Sequence, residues 1–264
     1  MTSAPKPPPG PVPGLSAFLI VKDEAARLGR TLAALHGLAE EVIVVDSGSH
    51  DATVAIAKAA GAKVLTRDFD GYGGQKRFAE DQCTGPWLLN VDADEVVTDA
   101  LAAEIRAALI PGPAPAGFRI RILNVYPGDD RPRPFANDYE VVRLYHRDAG
   151  RYRDHPLFDR VETTGPLHRL RAPIHHFPFL TWHALIEKQN RYSTFQAETA
   201  RHRSRAMLLA RFWVEFPLVM AKGLIGRRHI FGGWKGVAFA AVIAFARFMR
   251  IAKMLARAED ARRD

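Results

Sequence analysis

The sequence predicts an α/β fold built on a mostly parallel, doubly wound sheet, with an amphipathic helical extension at its C-terminal end. Three observations carry that expectation. Over the first hundred residues, short apolar runs of strand length alternate with stretches whose apolar residues recur at helical spacing, the order that consecutive βαβ units produce. With 264 residues, 47% hydrophobic and 25% charged, the chain can bury one substantial core and carry a small appendage. The charge is segregated: residues 201–264 hold 14 Lys and Arg against 4 Asp and Glu, a balance of +10, and residues 1–200 hold 23 against 25, a balance of −2.

Residues 1–14, MTSAPKPPPGPVPG, have Lys6 as their one charged side chain and lack the apolar stretch of an export signal. They read as a disordered, partly polyproline leader. The apolar run 15–21, bounded by the leader and by Lys22-Asp23-Glu24, suits a buried parallel strand. Leu28, Leu32, Leu35 and Leu38 then recur at helical spacing across residues 25–38. A strand over 42–45, a helix over 53–60 and a strand over 63–65 follow. The Gly71-Tyr72-Gly73-Gly74 turn opens a helix running through Cys83, residues 87–91 form another strand, and a helix covers about 99–109. Prolines 111, 113 and 115 break the pattern, and 118–125 and 140–146 read as strands of a less regular half. The folded domain is expected over residues 15–200, and a basic helical tail over 201–264.

Several classes of function lose support at this level. Cys83 is the single cysteine, so no intrachain disulfide forms and a reducing cytoplasm fits best. There is no G-x-x-x-x-G-K-[ST] and no G-x-G-x-x-G after the first strand, which removes the main support for an ATPase or a dinucleotide enzyme. The net charge of +8 invites a nucleic-acid reading, but the −2 balance of residues 1–200 offers no basic groove.

The basicity belongs to the tail. No run there reaches the roughly 20 apolar residues that cross a bilayer; the longest candidate, 237–246, stops at Arg247. On a helical projection Arg211, Glu215 and Lys222 share one side, and Pro217 is expected to kink that helix. Lys235, Arg247, Arg250, Lys253 and Arg257 gather within about 120°, leaving Val237, Phe239, Val242, Ile243, Phe245 and Phe248 for other directions. Such helices either lie in the interface of an anionic membrane or pack on a core with a solvated basic side.

Two strand ends carry the candidate chemistry, because ligands of open α/β sheets bind beyond the carboxyl ends of the strands. Asp46 ends one strand and is followed by Ser47, Gly48 and Ser49, small residues that let a ligand approach the backbone. Asp46 also suits a turn or helix-capping aspartate, and Asp51 and Thr53 suit caps of the next helix. The second end, Asn90-Val91-Asp92-Ala93-Asp94-Glu95, places three acids within four residues after a buried run, a costly concentration unless neutralised. Carboxylates completed by substrate phosphates are the usual setting for a magnesium-like cation; an exposed acidic turn before a helix is the plainer alternative. Between them, Gln75-Lys76-Arg77 follows a glycine-rich helix start of the sort that favours phosphate.

Taken together, Lys22-Asp23-Glu24, the segment from Val45 to Thr53, residues 71–79 and Asn90 to Glu95 resemble the inverting GT-A-fold glycosyltransferases of family 2. More narrowly, the chain is similar to bacterial enzymes that add a β-linked glucose to the heptose of the lipopolysaccharide inner core. The resemblance covers about residues 15–255 and implies a GT-A nucleotide-diphospho-sugar transferase fold, Rossmann-like, over residues 15–200. It implies that Asp46 contacts the uracil or ribose of a UDP-sugar, that Glu24 and Lys76 lie on the donor side, and that Asp92 lies at the ribose and diphosphate. Asp94, with Asp92, would hold Mg²⁺ or Mn²⁺. The family usually carries Asn where Asp23 and Arg77 stand.

The family's Val-His-Glu-x-Val-like segment matches residues 157–161, with Asp159 in the place of the catalytic base and Phe158 in that of the histidine. His155 is a compensating candidate, and Asp154 the next candidate base. His176 would lie near the diphosphate, and Arg191 near donor or acceptor. His168, His175, His176 and His183 also invite a zinc reading, which their wide spacing disfavours. The resemblance implies a glucosyl donor and a lipid-linked glycan acceptor such as the lipopolysaccharide core; the charge balance, the single cysteine and the basic tail lead to the expectation of no nucleic-acid partner and a cytoplasmic location on the inner face of the membrane. A catalytically silent nucleotide-sugar-binding or membrane-scaffold protein is the alternative.

Overall fold

Strand β1 (Val12–Val21) starts three residues before the apolar run that predicts it, in a computed structural model that describes residues 10–109, 115–136, 138–155, 159–200 and 204–260. Pro13 and Gly14 enter the strand because the ladder is irregular there. Val12 pairs with Ala39, the register then shifts before Ser16, and Gly14 takes a positive φ of 74°. The end of the leader is therefore strand; residues 1–9 lie outside the described residues.

Helix α1 (Ala25–Leu35) buries Leu28, Thr31, Leu32 and Leu35, a single stripe at helical spacing. It stops short of Leu38 because Gly37 turns the chain at φ 71°, and Leu38 is buried beyond the turn. There follow β2 (Ala39–Asp46), α2 (Thr53–Ala59), β3 (Lys63–Thr66), α3 (Tyr72–Asp81), β4 (Trp87–Asn90), β5 (Glu95–Val97) and α4 (Asp99–Ala108). Thr98 caps α4, its side chain accepting from the Leu101 amide, with Asp99 in the first turn. The less regular half supplies β6 (Gly117–Asn124), β7 (Asp138–His146), β8 (Gly150–Tyr152), β9 (Val161–Thr163), β10 (Leu167–Arg169) and β11 (Ile174–His176).

The main sheet has the order β3-β2-β1-β4-β7-β6-β11-β5, with β10 alongside β6. It is parallel from β3 through β4, turns antiparallel at β7 and β6, and closes with the antiparallel pair β11–β5. Alternation along β1 feeds two cores. Leu15, Ala17, Leu19 and Val21 join Leu28, Leu32, Leu101 and Ile105 on one face, while Phe18 joins Ile43, Val45, Ala79 and Tyr152 on the other. Each fully buried leucine contributes about 1.5–3 kcal/mol relative to exposure.

The chain forms two compact units, residues 1–123 with 138–176, and residues 124–137 with 177–264. The division expected at residue 200 followed charge, and these units follow packing. The second holds α5 (Trp182–Glu198), α6 (Arg205–Ala221) and α7 (Gly233–Asp260). Phe212 and Phe248 meet at 4.6 Å between ring centres, and Trp182 stacks on Trp234 at 5.9 Å. Glu215, buried on α6 despite its charge, accepts from Arg211 at 2.7 Å and Arg250 at 3.4 Å, with Arg247 at 3.6 Å. Pro217 lies inside α6. Among the described residues, no helix is long and apolar enough to cross a membrane.

Candidate active site

The carboxyl ends of β1, β2 and β4 lie side by side in the first unit, with Val21 paired to Asp46 and Phe18 to Asn90. Asp46 is buried, and its carboxylate accepts from the Gly48 amide at 3.0 Å and the Ser49 amide at 3.1 Å. It thereby folds the Ser-Gly-Ser turn, with Gly48 at φ 83°. Asp23 stands across from this turn at φ 53° and accepts from the His50 amide at 2.7 Å; that backbone region admits Asn and Asp more readily than other side chains. Asp51 accepts from the amides of Thr53 at 2.9 Å and Ala25 at 3.1 Å, so it serves the starts of two helices.

Beside the turn lies a cleft of about 260 Å³, lined by Ile20, Val21, Lys22, Glu24 and Ser47, with Phe69 and Tyr72. The two aromatic rings meet edge to face at 5.1 Å, and each is about half exposed. Nothing in the spacing of Phe69 and Tyr72 singles them out in the sequence.

The glycine-rich start of α3 differs from the expected phosphate cradle. The Gly73 amide donates to the His155 carbonyl at 3.0 Å, and a Cβ at Gly73 would fall on the carbonyl oxygen of Arg153. Glycine is required there because another stretch of backbone occupies the space. The helix instead delivers Lys76 to the interior, 1% exposed. Its ammonium donates to Asp92 Oδ1 at 2.8 Å and Asp159 Oδ2 at 2.6 Å, and lies 5.3 Å from the centre of the Tyr152 ring. Burial opposes the charge on Lys76, yet Asp92 and its neighbours outweigh it and raise the pKa.

Arg143, buried on β7, is the partner that the sequence reading missed. Its guanidinium donates to Asp92 Oδ2 at 2.6 Å, to Glu95 Oε1 at 2.7 Å, and to Asn90. Tyr152 donates its hydroxyl to Asn90 at 2.6 Å. The signal was present: an arginine between Val142 and Leu144 in an apolar strand needs a buried anion. Burial alone would raise the Asp92 carboxyl, but Arg143 and Lys76 hold it far below the usual carboxylate range. Burial leaves Glu95 raised in spite of Arg143.

A second chain of charges runs along the same edge. Glu24 accepts from Arg27 at 2.6 Å, and Arg27 also donates to Asp94 Oδ2 at 3.2 Å. His176 Nε2 lies 3.3 Å from the same oxygen, because β11 sets His176 opposite Glu95. Burial opposes protonation of His176, but the hydrogen bond with Asp94 and the fields of Asp94, Glu95 and Asp92 prevail and raise its pKa.

Among the described residues, no group of three or more His, Cys, Asp and Glu side chains converges to hold a metal ion. Asp92 gives one oxygen to each of two cations, whereas Asp94 and His176 face each other. A hard cation that arrives with a diphosphate needs only one or two protein ligands; of this pair the Asp94 carboxylate is the one that suits such an ion, and the pair does not fit an all-protein cage. His168 lies against Phe118 and His183 sits on α5.

Asp159 borders a second cavity of about 340 Å³, shared with Arg119, Glu140, Arg160 and Thr163. Its carboxylate, 41% exposed, is open to a hydroxyl on one side and tied to Lys76 on the other. Residues 156–158, which include Phe158, lie outside the described residues. Asp154 is exposed on the stretch after β8, and Arg191 is exposed on α5 of the second unit.

Comparison with known proteins shows the family. Residues 16–169 match the model of glycosyl transferase family 2. An uncharacterized glycosyltransferase of Rickettsia prowazekii is 34% identical over 251 residues, 91% of this chain and 86% of that protein. The lipopolysaccharide core biosynthesis glycosyltransferase LpsC of Rhizobium meliloti is 32% identical over 191 residues, 70% of each chain. The structure of S. aureus TarS 1–349 superposes at a TM-score of 0.48 with 14% identity, covering 94% of this chain and 91% of that one. From strand-end acids to family match, the chain belongs to glycosyl transferase family 2 and is a glycosyltransferase.

Proposed function

We propose that the protein is an inverting transferase that moves a sugar, glucose by the family resemblance, from a UDP donor to a lipid-linked acceptor of the lipopolysaccharide-core kind. The observation that carries the reading is the Lys76 ammonium held between Asp92 and Asp159, which sets a strand-end acid and a solvent-open carboxylate about one charge. The cleft at Phe69 and Tyr72 suits a pyrimidine ring packed against aromatic edges, with Glu24 and Ser47 at its rim and Asp46 shaping the adjoining turn. Asp94, with His176 beside it, would hold a divalent cation, which when bound would offset charge on the departing diphosphate.

Asp159 accepts a proton from the acceptor hydroxyl, whose oxygen forms the new bond at the anomeric carbon as the bond to the diphosphate breaks. Lys76 fixes the Asp159 carboxylate in direction. A single displacement of this kind inverts the anomeric centre. The core acceptor is supported by the name of LpsC, and a peripheral position on the inner face of the cytoplasmic membrane by the exposed apolar surface of the second unit. Seventeen of the twenty large hydrophobic side chains exposed among the described residues lie in that unit.

The test is thermal shift and donor hydrolysis with UDP-glucose, UDP-galactose and UDP-N-acetylglucosamine, each with Mn²⁺ and with EDTA. A bound donor raises the melting temperature by mass action, and the expected result is a metal-dependent rise largest for UDP-glucose. Absence of any rise with every UDP-sugar would remove the donor assignment.

A further inference from the structure

Between α6 and α7 the chain leaves regular helix. Residues Lys222–Gly226 form a π-helical turn, Arg228 takes a left-handed φ of 58°, and His229–Gly232 form a 3-10 turn. Single π turns in α-helices often accompany binding sites. The turn is held firmly from behind. Gly223 lies against Ala240, where an added Cβ would come within 3.1 Å of its side chain, and buried His229 shares a 2.7 Å hydrogen bond with the Tyr126 hydroxyl.

The side chains sent outward from this turn fall into two kinds. Ile225, Ile230, Phe231 and Trp234 are each more than half exposed, Ile225 by 74%. Lys222, Arg227 and Arg228 are also exposed. A cavity of about 270 Å³ opens beside them, lined by Lys222, Arg227, Arg247, His229, Val219 and Ile243. Among the described residues three cations and no acid line it, and the carboxylate that Arg247 approaches, Glu215, is shared with Arg211 and Arg250.

We infer that this turn is a lipid-docking element: the cavity takes the phosphate of an anionic phospholipid, and Ile225, Ile230, Phe231 and Trp234 enter the interfacial layer around it. The inference rests on the peripheral-membrane reading and makes it specific to one place. Charge complementarity selects a phosphate, and the surrounding apolar rim selects one that carries hydrocarbon. Trp and Ile side chains in water gain nothing from a free ion but gain burial from acyl chains. Lys235, largely buried and bound to Asp129 at 2.6 Å, lies 5.8 Å from the Trp234 ring centre and helps fix that ring at the rim.

The experiment is co-sedimentation of the full chain with phosphatidylcholine vesicles, with and without phosphatidylglycerol. Each cation at a charged surface contributes about fivefold to partitioning, so Lys222→Gln with Arg227→Gln is expected to lower binding about 25-fold to the anionic vesicles. Arg205→Gln with Arg257→Gln, which removes two charges from the opposite ends of α6 and α7, is expected to lower it far less. Ile225→Ser is expected to weaken binding while leaving its salt dependence in place. Unchanged circular dichroism and donor hydrolysis in each variant exclude misfolding. Equal losses in the two double variants would overturn the inference and leave the peripheral reading standing. Failure of the wild-type chain to sediment with either vesicle would overturn both. If inorganic phosphate raises the melting temperature of the vesicle-free chain while Lys222→Gln with Arg227→Gln leaves sedimentation with anionic vesicles unchanged, the cavity takes a soluble phosphate and the lipid assignment falls.

Discussion

Replacing Arg143 by Met is expected to destabilise the fold strongly and in a pH-dependent way. The guanidinium is 7% exposed and bonds both Asp92 and Glu95, and Glu95 is 1% exposed. Removing one partner of a buried ion pair leaves an uncompensated charge, at a cost of about 3–5 kcal/mol. At 2–4 °C per kcal/mol for a protein of this size, the melting temperature should fall by roughly 6–20 °C near neutral pH. The pH dependence follows from Glu95, whose pKa burial already raises against the opposition of Arg143. Without Arg143 it climbs further. A carboxyl whose folded pKa lies above its unfolded value of about 4.3 retains a proton that the unfolded chain has released, so stability falls as pH rises through that window. The deficit of Arg143→Met should therefore be largest at pH 8 and shrink toward pH 5. Asp92 works the other way: its pKa is depressed, so its contribution is complete above the unfolded value near 3.9 and is lost as pH falls toward the folded one. Measurements kept above pH 5 exclude it, and its one-third exposure argues against assigning it a large share. The assay is urea denaturation of wild type and variant at pH 5 and pH 8. An equal loss at both pH values, or a loss below about 1 kcal/mol, would refute the argument.

Asp159→Asn is expected to cut kcat by roughly 10²–10⁴-fold while donor binding by thermal shift is spared; Asp154→Asn should change little, and near-normal turnover in folded Asp159→Asn would move the base elsewhere. Asp94→Asn and His176→Ala should each abolish the Mn²⁺-dependent part of donor-induced stabilisation with circular dichroism unchanged, and full activity in EDTA would remove the metal from the reaction. Tyr72→Ala should raise the donor KM about three- to tenfold, the worth of one aromatic contact, at nearly constant kcat. A fall in kcat alone would place Tyr72 away from the donor's pyrimidine ring.

The elements legible in the sequence are those whose signal is local. Apolar runs at 15–21, 42–45 and 87–91 and the leucine stripe of α1 announce themselves locally, and Asp46 and Asp92 stand where the second and third of those runs end. Val12–Gly14 was not legible, because Pro and Gly disfavour strands and only pairing with Ala39 across an irregular ladder recruits them. The pairing of the short strands β5 and β11 was invisible for a different reason. Each has three residues and depends on a partner nearly eighty positions away, yet their pairing brings His176 to Asp94. Lys76 reads as a surface cation by type, and only the fold reveals that two carboxylates enclose it.

The bridging position of Lys76 bears on the order in which substrates add. On the proposed assignment, a donor that shifts Asp92 would change the pull of that carboxylate on the ammonium, and so the field at Asp159, where the acceptor hydroxyl would bind. Thermodynamic reciprocity makes the effect mutual: whatever factor the donor imposes on acceptor affinity, the acceptor imposes on the donor. Under the proposed single displacement, with the two half-sites joined through one ammonium, the expected kinetics are those of a ternary complex, with intersecting rather than parallel reciprocal plots.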